Sequence, residues 1–477
     1  MMTAGLMVAV LLLIACQPAT QEPTTAQPEA AGPTGAIEGP LLITGGTVVT
    51  MDAADTIIED GAVAVADGRI VAIGPASELA AEYGASRRVD AGGGIIMPGL
   101  INTHTHVPMV LFRGLADDLK LMDWLENHIF PAEAKHVDEE FVRWGTRLGC
   151  LEMLRGGTTT FVDMYFFEGE IAEEVDACGM RAVLGETLID FPAPDHKTWE
   201  SAVAGMRTFV AAWKDHPRIT PAVAPHAPYT VSAEHLKEAH ALATELDVPL
   251  VIHLAEDRAE IERITSQTGM SSVNYLESLG ILEDRMLAAH MVWPSAEEIA
   301  LLAKHNVGVA HNPQSNMKIA VGVAPVPELR AAGVAVGLGT DGAASNNDLD
   351  LWEEIDSAAK LHKVSREDPT LVTARDALRM ATIDGARAID MEDEIGSLEV
   401  GKRADVIVVG TDGFHQQPHY NAYSLLTYST KASDVDTVIV DGRVVMEQGK
   451  VLTVDAAAVV AQAAVYRDRI AERSSSP

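Results

Sequence analysis

Between residues 94 and 340 the chain alternates short apolar runs with stretches of helical period. The runs cover 94–101, 158–164, 181–189, 219–225, 248–253, 286–290, 307–311 and 334–340. Segments such as 232–246 and 296–304, with apolar residues at three- and four-residue spacing, lie between several of them. Eight strands with intervening helices predict a (β/α)8 TIM barrel, an α/β fold whose chemistry sits at the C-terminal ends of the strands. Residues 41–95 read differently, as short β runs broken by turns such as Asp67-Gly68, and the texture returns over 393–455. Neither piece can bury a core alone, so the simplest arrangement joins both chain ends in one small β-sandwich domain. The predicted layout is therefore one half of the sandwich over 41–95, the barrel over 96–392, the other half of the sandwich over 393–455, and a C-terminal helix and tail over 456–477.

The start of the chain departs from this pattern. Leu6 to Ala15 form an apolar run too short to cross a bilayer and placed where the core of an export signal belongs. It ends Leu13-Ile14-Ala15-Cys16, which resembles the bacterial lipobox, although Met1 to Gly5 hold no Lys or Arg. Residues 17–40 are rich in Pro, Ala, Thr, Gln and Glu, the composition of a disordered tether. The expectation is a signal peptide over 1–16, lipidation at Cys16 and an exported, periplasmic protein that touches the membrane only through its lipid anchor.

Charge narrows the partners. The chain carries 35 basic and 69 acidic residues, a formal charge of −34, which repels nucleic acid and anionic lipid. A small-molecule partner is the remaining reading. Besides Cys16 there are two cysteines, Cys150 and Cys178, in helical-looking apolar segments. One pair is no disulfide framework, and both are read as buried thiols.

The candidate chemistry falls where the barrel rule places it. His104, His106, His226, His253, His290, His311 and Asp341 all stand at or just past the end of an apolar run. In an extended strand His104 and His106 point to one side, offering two imidazoles to one point. His253 and Asp341 complete a set of three nitrogens and a carboxylate, which suits a catalytic metal that keeps one position for water. Zn2+ is the expected ion, one per subunit, with Fe2+ and Mn2+ accepted by the same donors. Such an ion lowers the pKa of water from about 15.7 towards ~7. Glu256, three residues after His253, is placed to shuttle the proton, and His290 to orient the water. Asp341 helps to deprotonate it.

At these residues the chain resembles a known family. PGLINTHTHVPMVLFRGLADDL, FVDMYF, APHAPYTVS, IHLAED, HNPQSNMKIAVGVAPV and GTDGAASNNDLDLWEE are together similar to the amidohydrolase superfamily. Within it they resemble the 5′-methylthioadenosine/S-adenosylhomocysteine deaminases and the related triazine hydrolases. The resemblance implies that His104, His106, His253 and Asp341 hold the metal and that Glu256 and His290 serve hydrolysis. It further implies that His226 contacts a purine ring and Glu133 binds ribose hydroxyls, while Asn312 and Asn316 brace a loop. His226 stands where binuclear relatives need a lysine carboxylate, so a mononuclear site is expected. Family members often form homo-oligomers. One departure concerns Gly185-Glu186, which replaces a family Thr-Arg or Ser-Arg pair whose arginine faces an amino-acid carboxylate. Glu186 on the substrate side would repel the charged tail of S-adenosylhomocysteine and favour neutral adenosine derivatives, unless Lys197 compensates. The reading is an aminohydrolase that replaces the 6-amino group of an adenosine derivative by oxygen and releases ammonia. Its rivals are an amino- or chlorohydrolase of triazines or pterins, and a binding lipoprotein without chemistry.

Overall fold

A computed structural model describes residues 1–2, 40–84 and 86–474. The lipobox, the signal peptide beyond residue 2 and almost all of the tether lie outside the described residues. Contacts divide the chain after Gly35, and the fold below is that of the unit Ala36–Pro477.

Eight parallel strands form the barrel in sequence order: Leu100–Thr105, Thr158–Tyr165, Arg181–Leu188, Ile219–Pro225, Leu250–Leu254, Met286–His290, Gly308–His311 and Val336–Leu338. The last strand returns to the first through a side chain. Asn102 accepts from the Thr340 amide at 3.0 Å and donates to the Thr340 hydroxyl at 2.8 Å, and the Asp341 amide donates to the His104 carbonyl at 2.9 Å. The seam thus fixes Asp341 beside His104. Helices between the strands begin where the sequence supplies caps. Ser232 caps Ala233–Leu246, and Ser295 with Glu298 forms a capping box on Ala296–Lys304.

The two chain ends build one further sheet of nine strands. Strand Ile95–Pro98 stands at its centre, pairing parallel with Leu41–Val49 on one side and antiparallel with Val406–Val409 on the other. Its apolar residues from both halves, among them Ile43, Val63, Ile96, Val408 and Ile439, form one buried cluster. The two chain ends therefore share a core, as the sequence implies.

One boundary differs from the sequence reading. The run expected as a single strand over 94–101 serves two sheets, with the change at Pro98-Gly99. A Cβ on Gly99 would lie 2.1 Å from the Thr159 hydroxyl, so only glycine lets the backbone cross against the second barrel strand. As a result His104 lies inside a barrel strand rather than beyond its end. Cys150 and Cys178 are buried free thiols, as expected. The C-terminal helix Ala456–Ser474 sets Tyr466 edge-on against Phe141, with ring centroids 5.5 Å apart. No described helix is long and apolar enough to cross a membrane.

Candidate active site

Four histidines and an aspartate meet at the C-terminal mouth of the barrel. The ligating atoms of His104, His106 and Asp341 lie within 4.8 Å of one another, as do those of His104, His253 and His290. Hydrogen bonds on the far side of two rings decide which nitrogen faces in. His106 Nδ1 stands 2.5 Å from the Met164 carbonyl and His253 Nδ1 stands 2.8 Å from the His226 carbonyl. A carbonyl only accepts, so each Nδ1 carries the proton when the ring is neutral. Both Nε2 lone pairs then face each other at 3.2 Å, a repulsive contact that a cation between them would turn into two ligand bonds.

His104 points to a cation as well. Its ring is fully buried, and neither nitrogen has a hydrogen-bond partner. Orphaned buried donors and acceptors cost about 1–3 kcal/mol each, so a native site holding one implies a ligand. Asp341 supplies the opposing charge, with Oδ1 3.3 Å from His106 Nε2 and 3.6 Å from His104 Nε2. It is held by Ser315, whose hydroxyl donates to Oδ2 at 2.7 Å, and by the Gly342 amide, which donates to Oδ1 at 2.7 Å. Burial works against ionisation, but His106 and the other imidazoles keep the Asp341 carboxyl well below its ordinary pKa. Three nitrogens and one carboxylate with no thiolate fit a divalent metal.

The remaining site residues line one pocket above this cluster. Glu256 is buried, with Oε1 3.8 Å from His290 Nε2. Burial and then repulsion from Asp341 push its carboxyl well above the usual range, which favours the protonated acid. His290 Nδ1 meets the Asn316 carboxamide oxygen at 3.0 Å and Nε2 faces the pocket. His226 Nδ1 bonds the Thr230 hydroxyl at 2.9 Å, and that hydroxyl gives its own proton to the Ala227 carbonyl. His226 Nε2 is therefore an acceptor, flanked edge-on by Phe130 and Tyr229. Burial lowers its pKa to about 3, so the ring stays neutral. Glu133 faces the same pocket, and burial raises its carboxyl to about 7 despite the Tyr165 hydroxyl and His106, which lower it.

Glu186 is not on that wall. Successive residues of the third barrel strand face opposite ways, so Thr187 lines the pocket while the Glu186 carboxylate turns to the Glu168 amide and to Asp195. The expectation that Glu186 meets substrate is corrected by this alternation, and with it the argument against a charged substrate tail. Lys197 donates to the Ala193 carbonyl at 2.5 Å.

Several residues that hold the site were not singled out by the sequence reading. Asp163 Oδ1 accepts from the Thr105 hydroxyl at 2.8 Å and the Val107 amide at 2.7 Å, clamping the chain on both sides of His106. Glu260 accepts from the amides of Ala255 and Glu256, both at 2.9 Å, and so fixes the turn that carries Glu256. Asp163 lies in FVDMYF and Ser315 in the HNPQSN stretch, so each sat in a visible motif without an evident task. His290 and Asp341 adopt left-handed backbone angles, φ 75° and 63°, strained positions of the kind that gather at functional sites.

The model of the amidohydrolase family matches residues 95–445. The chain belongs to the amidohydrolase family. A second match, to the imidazolonepropionase-like composite domain of bacteria, spans 61–85. The amidohydrolase chain is 49% identical over 421 residues to a 5-methylthioadenosine/S-adenosylhomocysteine deaminase of Syntrophobacter fumaroxidans, covering 88% of this chain and 96% of that one. Among solved structures, it is similar to an adenosine deaminase from Xanthomonas campestris with bound zinc. That match has TM-score 0.88 and 41% identity, and covers 91% of this chain and 98% of the other. A zinc-complexed atrazine chlorohydrolase from Arthrobacter aurescens matches at TM-score 0.83 and 26% identity, covering 90% and 100%. The amidohydrolase assignment and the orphaned imidazoles agree on a divalent metal at the barrel mouth.

Proposed function

We propose that the protein is a zinc-dependent deaminase of adenosine derivatives, with methylthioadenosine, 5′-deoxyadenosine, adenosine and S-adenosylhomocysteine as candidate substrates. The observation that carries the reading is one pocket wall holding the imidazole–carboxylate cluster, the buried Glu256 and the pair Glu133 and His226. His104, His106, His253 and Asp341 are the residues that would hold the ion. When bound, it would lower the pKa of water and polarise the reacting centre.

The chain's own groups do the rest. His290, with Nδ1 held between Asn316 and Asn312 at 3.0 and 3.2 Å, turns Nε2 to the pocket to orient water. Asp341 accepts a proton from that water while Glu256 gives its own to the ring nitrogen beside the reacting carbon; Asp341 then passes its proton to the departing amine, and the hydroxyl proton left on the carbon returns to Glu256. Water replaces ammonia, so atoms balance with no other reactant. His226 Nε2 accepts from the amino group of the purine, and Glu133 accepts from vicinal ribose hydroxyls. A flat triazine offers buried Glu133 no vicinal hydroxyls, which favours the nucleoside over the triazine reading.

Ammonia release from a panel of the four nucleosides, guanine and aminotriazines tests the substrate class. Turnover confined to nucleosides is expected, and turnover of free bases or triazines alone would overturn it. Glu133→Ala should cut kcat/KM for the nucleosides about 10- to 100-fold, the loss of one or two charge-assisted hydrogen bonds, with little effect on a ring lacking ribose. We also infer export and lipidation at Cys16, supported by the apolar run ending at that cysteine. Mass spectrometry of the mature protein should find an acylated N-terminal cysteine; an intact Met1 would refute it.

A further inference from the structure

Behind the pocket wall, Glu186 meets two residues of the loop that follows its strand. The ligating atoms of Glu186, Asp195 and His196 lie within 4.8 Å of one another. Glu186 is 4% exposed; its Oε2 accepts from the Glu168 amide at 3.1 Å, and its Oε1 has no hydrogen-bond partner. Glu168, fully buried beside it, accepts from the Tyr165 amide at 3.1 Å through Oε1 and likewise leaves Oε2 unpartnered. Asp195 is set in place from outside, with Oδ2 accepting from the Phe167 amide at 3.0 Å and Oδ1 from the His196 amide at 2.6 Å. The His196 ring rests on helix Trp199–Trp213 at Gly205, where a Cβ would stand 2.3 Å from Nε2. Only glycine leaves room for the ring.

The cluster gathers like charges. After burial, the influences that most raise Glu186 are Asp195 and Glu168, and for Glu168 they are Asp163 and Asp195. Carboxylates packed so closely in a protein interior require shared protons or a cation. An imidazole in the set and the buried Glu186 Oε1 with nothing to accept point to the cation.

We propose that Glu186, Asp195 and His196 hold a second divalent cation beside the buried Glu168 carboxyl. One imidazole among carboxylates suits Mn2+ or Zn2+ better than Ca2+ or Mg2+. The ion would tie the loop carrying Asp195 and His196 to the third barrel strand and to the turn at Phe167. That turn follows Tyr165 and Phe166 of the pocket wall, and Phe191 of the same loop packs on Phe130 with ring centroids 5.3 Å apart. The second ion therefore braces the pocket from behind and takes no part in the proposed deamination.

The test counts metal per chain after chelation, reloading with Mn2+ or Zn2+ and removal of excess ion. Wild type should retain two equivalents, His106→Ala one, His196→Gln one, and the double variant none. Asp195→Asn repeats the His196→Gln measurement at a second ligand, and His196 is half-buried, so its substitution leaves the fold intact. His196→Gln should keep ammonia release while losing its equivalent. A single equivalent in wild type, or a second one that survives both His196→Gln and Asp195→Asn, overturns the proposal. Two equivalents without ammonia release would reject the deaminase reading and support this one.

Discussion

At the start of the third barrel strand Arg181 is 3% exposed and fully engaged. Its Nε donates to Asp405 at 2.9 Å, one terminal nitrogen reaches the other Asp405 oxygen at 3.3 Å, and the second donates to the Pro217 carbonyl at 3.0 Å. Asp405 also accepts from the Asp441 amide at 2.7 Å. At the opposite end of the barrel the His104 ring is just as buried and has no hydrogen-bond partner, and His106 and His253 bring their Nε2 atoms to within 3.2 Å of each other. Both regions bury charge or strong polarity. The first closes every bond and joins the barrel to the end sheet, as suits structure. The second leaves its acceptors converging on one point, as suits a bound ion. Satisfaction of polar groups, rather than their burial, separates scaffold from site.

The largest effect should come from the open end. His106→Ala removes one of two opposed nitrogens and is expected to bring ammonia release to the background rate, with metal at the histidine cluster lost when counted. Full activity with that metal absent would erase the contrast. Glu256→Gln leaves the donors untouched, so it should keep the metal and lower kcat by roughly 10²–10⁴-fold. Loss of metal in that variant would show that Glu256 acts as a ligand instead.

The closed end should answer in stability and not in catalysis. Arg181→Met strands Asp405 in the interior and should cost about 3–5 kcal/mol in chemical denaturation, with kcat of the folded fraction unchanged. A neutral outcome would mean that the pair is no more structural than the surface ion pairs. The smallest effect is a pH dependence confined to metal-free protein. Burial opposes protonation of His106, but the hydrogen bond and charge of Asp341 raise its pKa from the ordinary 6.5 to about 9. A raised pKa stabilises the fold fully below about pH 6.5, and the contribution is lost as pH rises through about 9. Melting the metal-free protein across that window should show the decline, and His106→Gln should flatten it. Metal loading displaces the same proton, so the loaded protein should lack the slope.

Much of the site was legible because barrel strands deliver side chains to one face. His104 and His106 by their spacing, and His253, His290 and Asp341 by their places at the ends of apolar runs, come together as expected. What escaped depends on tertiary contact. Pro98-Gly99 divides one apolar run between two sheets because the backbone must pass Thr159, which no local pattern records. Glu186 was placed by its position in a motif, whereas strand alternation turns it away from the pocket and Thr187 towards it. Ser315, Asp163 and Glu260 act through hydrogen bonds to residues that only the fold brings near, and their types are equally common on surfaces. The lipobox lies outside the described residues, and its reading rests on the sequence.

The central claim is that the converging imidazoles and Asp341 hold an ion that deamination requires. Its most direct test is ammonia release from methylthioadenosine by chelated protein before and after zinc is restored. The metal-free protein should give no release, and activity should return in step with metal bound at the histidine cluster. Release that persists without metal, or none from any adenosine derivative with the cluster filled, would contradict it.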